Sequence, residues 1–358
     1  MWAAVYYGPN DLRLEERPLP TIGPDDVLLK VVSTGVCGTD LRILHGEHRK
    51  YPAGTVRVPG HEVVGDIVEV GAEVTGHHVG QRVVIAPNFG CGHCRQCVSG
   101  HNNRCANYGA IGINIDGSFA EYVRIPGPII AQGGLIPVDS RLDPAIVALV
   151  EPFACVLRGQ DPLHITPGDV VLVMGAGPIG TMHTLLARLR GAKRVIVSDL
   201  IPSRLQQVAA LGADRTVNIA EEDLAAVVME ESNGEGADAI IVATAAHQAQ
   251  EQALSLAAIG GRINYFGGLP KDRPTVTFNS NLVHYKELVV TGTTACSTAD
   301  CWRAAEIIGS GRINLEKLVS GRYPLRDIHA AFAAAEGKNA LKIVIQPDLT
   351  EPQGHLSE

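Results

Sequence analysis

Val170-Val171-Leu172-Val173-Met174-Gly175-Ala176-Gly177-Pro178-Ile179-Gly180 decides the reading of the fold. Its first five residues are a continuous apolar run, the pattern of a strand buried on both faces in a parallel sheet. The next six are G-x-G-x-x-G, and a helical stretch, Pro178 to Leu189, follows. Gly175 permits a tight turn, Gly177 lets a pyrophosphate approach the backbone, and Gly180 lets helix and strand pack closely. Pro178 and Ile179 open the helix, whose positive N-terminal end favours an anion. Asp199 lies nineteen residues after Gly180 at the end of a second apolar run, Arg194 to Asp199. A carboxylate there accepts from an adenosine ribose 2′-hydroxyl and repels a 2′-phosphate, so NAD is expected over NADP. Arg204 is close enough to complicate that preference. The bland alternative is a glycine-rich turn with a surface aspartate.

Downstream the alternation continues. Helices are expected over Pro202–Leu211, 222–231 and 248–259, and strands over 216–219, 239–243, 262–267 and 288–291. Apolar strands alternating with amphipathic helices predict an α/β fold with a doubly wound parallel sheet. Upstream, the first 150 residues show short β-rich runs between Gly, Pro and Asp, such as Val27–Val32, Glu62–Val70, Arg82–Ala86 and Phe119–Ile125. An irregular all-β unit is expected there. After Ala295 a helix (299–308) and a strand (341–345) remain, and the polar segment 349–358 is expected to be frayed.

The chain has 358 residues, a net charge of -8 and 46% hydrophobic residues. That length suits about two domains. The acidic balance argues against nucleic acid or anionic lipid as partners. No apolar run approaches the roughly 20 residues of a membrane span. The N-terminal residues lack a basic segment followed by a long apolar stretch, so a cytoplasmic protein is expected.

Four of the eight cysteines, Cys91, Cys94, Cys97 and Cys105, form C-x2-C-x2-C-x7-C. Four thiolates in one loop can wrap zinc tetrahedrally and leave no open position, which makes such a site structural. A bacterial iron–sulfur pattern would need three residues before the last cysteine and a proline after it; here there are seven, and Ala106 follows. A nucleic-acid zinc knuckle fits an acidic chain poorly. A second set is looser: Cys37-Gly38-Thr39-Asp40 and Gly60-His61-Glu62. Cysteine, histidine and carboxylate make a plausible open zinc site. A buried thiol and a hydrogen-bonded core histidine remain the alternative. Glu151 follows the apolar run Ala145–Val150, where a carboxylate is conspicuous unless paired or metal-bound.

These pieces, with Asp116-Gly117-Ser118-Phe119-Ala120-Glu121-Tyr122 and Glu151-Pro152, occur together over nearly the whole chain. In that order the sequence resembles the zinc-dependent medium-chain dehydrogenases, the alcohol dehydrogenase superfamily. Glutamate at 151 is similar to the polyol (sorbitol) and threonine dehydrogenase branch. The resemblance implies a GroES-like β-rich catalytic domain over 1–153 and 295–358, with a Rossmann domain over 154–294 inserted. It implies two zinc ions per chain, NAD as cofactor, a small alcohol or polyol as substrate, and a homodimer or homotetramer. It also implies residue roles. Cys37 and His61 would ligate catalytic zinc, joined by Glu62 or Glu151. Asp40 would orient His61, Thr39 would bond the substrate oxygen, and Lys342 would reach the cofactor phosphates. Two departures stand out. Arg42 replaces a histidine that often ends a proton relay, with His45 one turn on as a substitute. Thr294 and Ala295 replace the Arg-Tyr pair that holds a polyol in sorbitol dehydrogenases. The readings left open are a polyol or secondary-alcohol dehydrogenase, an amino-alcohol dehydrogenase of the threonine type, and a non-catalytic protein on the same fold.

Overall fold

The computed structural model describes residues 1–354. Two compact units result, one from Met1–Ala154 with Ala295 onward, the other from Cys155–Thr294. The chain crosses from the first to the second inside one helix, Val150–Gln160.

The second unit is a six-stranded parallel sheet. Its spatial order is Arg215–Asn218, Arg194–Asp199, Val170–Met174, Ala237–Val242, Ala257–Tyr265, Val289–Gly292. The third strand in chain order lies at one edge and the sixth at the other, which is the doubly wound arrangement the sequence predicts. The central strand is buried along its whole length. Its alternation feeds two cores: Val170, Leu172 and Met174 pack on one face, Val171 and Val173 on the other. Each face is covered by helices, so a continuous apolar run is what the strand needs. The helix Pro178–Leu189 has the expected bounds. One expectation is corrected: the helix over 248–259 ends at Leu256, and Ala257–Tyr265 is one long strand. Its Gly260 takes a positive φ of 73° next to Gly261, and β-branched Ile259 suits a strand better than a helix end.

The first unit is built on an antiparallel and parallel mixed sheet. Its backbone is the strand Val27–Gly35, paired with Glu62–Val70, with Tyr122–Ile125 and with Lys342–Ile345. Arg82–Ile85 and Leu135–Pro137 extend one side, and Val319–Tyr323 extends the other. The C-terminal strand therefore completes a sheet begun by the N-terminal third. A hairpin, Trp2–Gly8 with Asp11–Glu16, turns at Pro9-Asn10, where Asn10 takes a φ of 58°. The expected fraying of the tail is corrected for Gln353–Gly354, which pair with Gly321 and Arg322; residues 355–358 lie outside the described residues. The architecture is α/β, a β-rich unit and a doubly wound parallel unit.

Candidate functional site

In the first unit the sheet register gathers a charged centre. Gly35 faces Glu62 on one side and Val344 on the other, so Lys342 lies two residues from the same row. A Cβ on Gly35 would collide with the Glu62 carboxylate and come within 3.0 Å of Lys342 Cε. The missing side chain lets the carboxylate cross to the lysine. Lys342 Nζ donates to Glu62 Oε1 at 2.6 Å. Lys342 is 5% exposed and Glu62 is 0% exposed, so both charges are removed from water and depend on each other. Burial works against the ammonium, yet Glu62 first, then Cys37 and Glu151, hold its pKa above 10.5.

Cys37 precedes the short helix Gly38–Leu44, and the Asp40 carboxylate reaches back to accept from the Cys37 N–H at 2.9 Å. That reciprocal turn fixes where the thiol points. Ligating atoms of Cys37, His61 and Glu62 all lie within 4.8 Å of one another. Asp40 Oδ1 stands 3.5 Å from His61 Nδ1, and both atoms are buried with no hydrogen-bond partner. Burial alone would lower the His61 pKa, but Asp40 and Cys37 raise it well above its usual value. The chemistry of this set, thiol, imidazole and carboxylate around unsatisfied buried polar atoms, fits a divalent zinc ion. Thr39 sits half-buried on the first turn of the same helix.

Glu151 does not join this trio within the same distance. It is buried, and the Cys296 thiol donates to its Oε1 at 3.6 Å.

The four cysteines of the lobe lie close together. The ligand sulfurs of Cys91, Cys94, Cys97 and Cys105 lie within 4.8 Å of one another, with Cys94–Cys97 at 3.5 Å and Cys94–Cys105 at 3.8 Å. A zinc–sulfur bond of about 2.3 Å in a tetrahedron gives sulfur–sulfur edges of about 3.8 Å. Backbone N–H groups of His93 and Cys94 hold the Cys91 thiol down to about 6, while burial pushes Cys97 up to about 12. The lobe fits a metal and leaves no room for a substrate ligand.

Two sequence expectations are corrected here. Lys342 is committed to Glu62 inside the first unit and is too buried to serve as a phosphate ligand. His45 caps the helix C-terminus, and both its ring nitrogens are engaged, by Asn10 Oδ1 at 3.1 Å and Glu336 Oε1 at 2.5 Å. It does not replace the relay residue missing at Arg42. His48, which sequence reasoning passed over, is half-buried. Burial and then Arg42 and Arg49 lower its pKa, and it also feels His61 and Asp40. Nothing in its spacing marks it.

In the second unit the glycine loop follows Met174. Gly175 takes a φ of 110°, and a Cβ on Gly180 would strike the Gly175 carbonyl oxygen. Both positions therefore require glycine. Asp199 Oδ2 accepts from the Ala176 N–H at 2.7 Å; its Oδ1 accepts from Leu200 N–H at 2.7 Å and Ile201 N–H at 2.9 Å. A carboxylate has about four acceptor positions, so these amides leave roughly one. A Cβ on Gly177 would lie 3.8 Å from Arg204 Nη1, which puts the guanidinium beside the loop. A cavity of about 370 Å³ opens there, lined by Gly175, Asp199, Ile219, Asp223, Thr244 and Gln248 among others. Its size and position suit the adenosine half of a dinucleotide.

Comparison with known proteins agrees with this geometry. The alcohol dehydrogenase GroES-like domain matches residues 23–134, and the zinc-binding dehydrogenase domain matches residues 178–309. An L-threonine 3-dehydrogenase of Rhizobium etli is 32% identical over 337 residues, 93% of this chain and 94% of that protein. A sorbitol dehydrogenase of Halalkalibacterium halodurans is 32% identical over 344 residues, 95% and 97% of the two chains. A zinc-binding dehydrogenase from Sinorhizobium meliloti 1021, solved bound to NADP, superposes with a TM-score of 0.89 at 32% identity, covering 97% of this chain and 99% of that one. With both domains matched and relatives spanning nearly its full length, the chain belongs to the zinc-dependent medium-chain dehydrogenases.

Proposed function

We propose that this dehydrogenase oxidises a secondary alcohol, most simply a polyol or sugar alcohol, to the ketone with NAD. The observation that carries the reading is the convergence of half-buried Cys37 with buried His61 and Glu62 within 4.8 Å, beside a matching buried cation, Lys342. Zinc held there would supply Lewis-acid polarisation of an alcohol oxygen, and NAD would supply the hydride acceptor. The residues do the rest. Cys37 and His61 hold the ion, and Asp40 sets the His61 ring and offsets its charge. Lys342 neutralises Glu62, and Glu151 is the second carboxylate we assign to the ion. The Thr39 hydroxyl would relay the substrate proton, accepting it at Oγ1 while giving its own to the cofactor ribose hydroxyls. Asp199 receives the adenosine ribose and disfavours a 2′-phosphate, with Arg204 as counterweight. Cys91, Cys94, Cys97 and Cys105 hold a second, structural zinc.

Among the described residues no helix is long and apolar enough to cross a membrane. We place the protein in the cytoplasm, as a homodimer or homotetramer acting on small molecules and without nucleic-acid partners. An amino alcohol is the second substrate class, because the L-threonine and sorbitol dehydrogenase relatives are equally similar, at 32%. The deciding experiment follows NADH absorbance with sorbitol, xylitol, inositols, simple secondary alcohols and L-threonine. Metal analysis should give two zinc ions per chain, and one after Cys37→Ser, with activity lost. No turnover of any alcohol by zinc-replete protein would overturn the dehydrogenase assignment and favour a binding role.

A further inference from the structure

A packing role is the default for a buried cysteine, and Cys296 is fully buried. Its surroundings are not those of a packing residue. Its Sγ points at Glu151 Oε1 at 3.6 Å. Asn88 Nδ2 donates to the Cys296 carbonyl oxygen at 2.9 Å and lies 3.4 Å from its sulfur. Asn88 is itself held twice: Tyr108 Oη donates to its Oδ1 at 2.6 Å, and Asn102 Nδ2 donates to its carbonyl at 3.0 Å. Asn102 also accepts from the Thr298 N–H at 3.1 Å and reaches Thr298 Oγ1 at 2.9 Å. Asn102 belongs to the cysteine lobe, where its carbonyl accepts from the Cys105 N–H at 3.1 Å.

From the other side, Cys296 is the residue before the Ser297 cap of the helix Thr298–Gly309. Ser297 and Asp300 form a reciprocal cap, and Cys296 touches Cys301 at 3.5 Å between sulfurs. Those are the positions of a hydrophobic staple, which fixes the entry of the chain into a helix. Cys296 is therefore clamped by a helix start and by the buried Asn88 amide, with its thiol donating to a buried carboxylate. Polar groups buried in this way rigidify a site when their partners are in place.

We propose that Cys296 and Asn88 are positioning residues for Glu151, and that Asn102 ties them to the four-cysteine lobe. The lobe then does more than stabilise its own loop: it sets the orientation of a carboxylate of the catalytic centre. This rests on the role given to Glu151 above.

The test compares holoenzyme of wild type, Cys296→Ala, Cys296→Ser, Asn88→Ala, Asn102→Ala, the Asn88→Ala/Cys296→Ala double variant and Glu151→Ala. The readouts are kcat, KM for alcohol and for NAD, and the visible absorption spectrum after cobalt is placed at the Cys37 centre. Cys296→Ala and Asn88→Ala should each lower kcat about tenfold, the usual effect of removing a partner of a metal-site group. The KM for NAD should hold, and the cobalt spectrum should shift. Cys296→Ser, which keeps a donor, should restore most of the rate and the spectrum. The double variant should be no worse than either single one, because both act through one chain. Asn102→Ala should change rate and spectrum in the same direction. The proposal is overturned if Cys296→Ala leaves rate and spectrum at wild-type values while Glu151→Ala is impaired, or if the two single effects multiply. If Asn102→Ala changes neither, the tie to the lobe is overturned. If Glu151→Ala itself keeps full rate and spectrum, the role of Glu151 fails and this inference fails with it.

Discussion

Replacing Lys342 with methionine removes a charge while roughly keeping volume, and its cost can be worked from the burial of the pair. Glu62 is 0% exposed and its carboxylate lies 2.6 Å from Lys342 Nζ. Taking away one partner of a buried ion pair leaves an uncompensated charge, at about 3–5 kcal/mol. For a unit of roughly 200 residues each kcal/mol moves the melting point by about 2–4 °C, so the expected drop is about 6–20 °C. One further signature identifies the cause. Lys342→Met/Glu62→Gln should recover much of the loss, because the neutral pair has no stranded charge. In the wild type the Lys342 pKa is raised, so the lysine's contribution is full below pH 10.5 and is lost as pH rises through the folded value. Thermal unfolding followed by near-ultraviolet circular dichroism at pH 8 reads the wild type and both variants. A single variant melting within about 2 °C of wild type at pH 8 would refute the view that this pair is interdependent.

Other consequences are equally open to measurement. Asp199→Ser should move the ratio of kcat/KM values for NAD and NADP towards NADP by about 10–100-fold, the scale of one charged hydrogen bond. An unchanged ratio would remove Asp199 from cofactor choice. His183 is buried against Phe266, with Gln160 Nε2 at 3.2 Å from its Nδ1. Burial, and then Arg190, hold its pKa down to about 3. That depressed value gives a contribution that is full above pH 6.5 and is lost as pH falls towards 3, at about 1.4 kcal/mol per pH unit. His183→Gln should flatten that slope in urea titrations at pH 7, 6 and 5; parallel slopes would contradict it. Gly180→Ala should abolish the close approach to the Gly175 carbonyl and cost at least about 1–3 kcal/mol as overpacking. A stable variant with unchanged KM for NAD would show that the loop can yield.

The parts of this molecule readable from the chain are those whose partners are near in sequence. The glycine loop and its helix, Pro178–Leu189, obey local rules of turn, cap and period, and so do the four cysteines within fifteen residues. The Ala257 boundary was misread because helix and strand are both apolar there and only the Gly260-Gly261 pair distinguishes them. Lys342 was assigned to the wrong anion because its true partner, Glu62, is 280 positions away and meets it only through the register of three strands across Gly35. Asn88, Asn102 and Cys296 give no periodic signal at all. Their meaning lies in hydrogen bonds between segments separated by up to 208 positions. His45 looked useful on spacing alone, but its ring faces Asn10 and Glu336.

The late arrival of the strand Lys342–Ile345 has a consequence in time. A ribosome adding about 5–20 residues per second needs about 15–55 s to travel from Glu62 to Lys342. During that interval the nascent first unit carries a carboxylate and a thiol meant for burial, with neither the lysine nor the closing strand yet made. The second unit, encoded between them, has all of its strands available first. Synthesis therefore delivers all strands of the parallel-sheet unit before the Cys37, His61 and Glu62 centre can be completed by Lys342, whereas the four cysteines of the lobe are all made by residue 105.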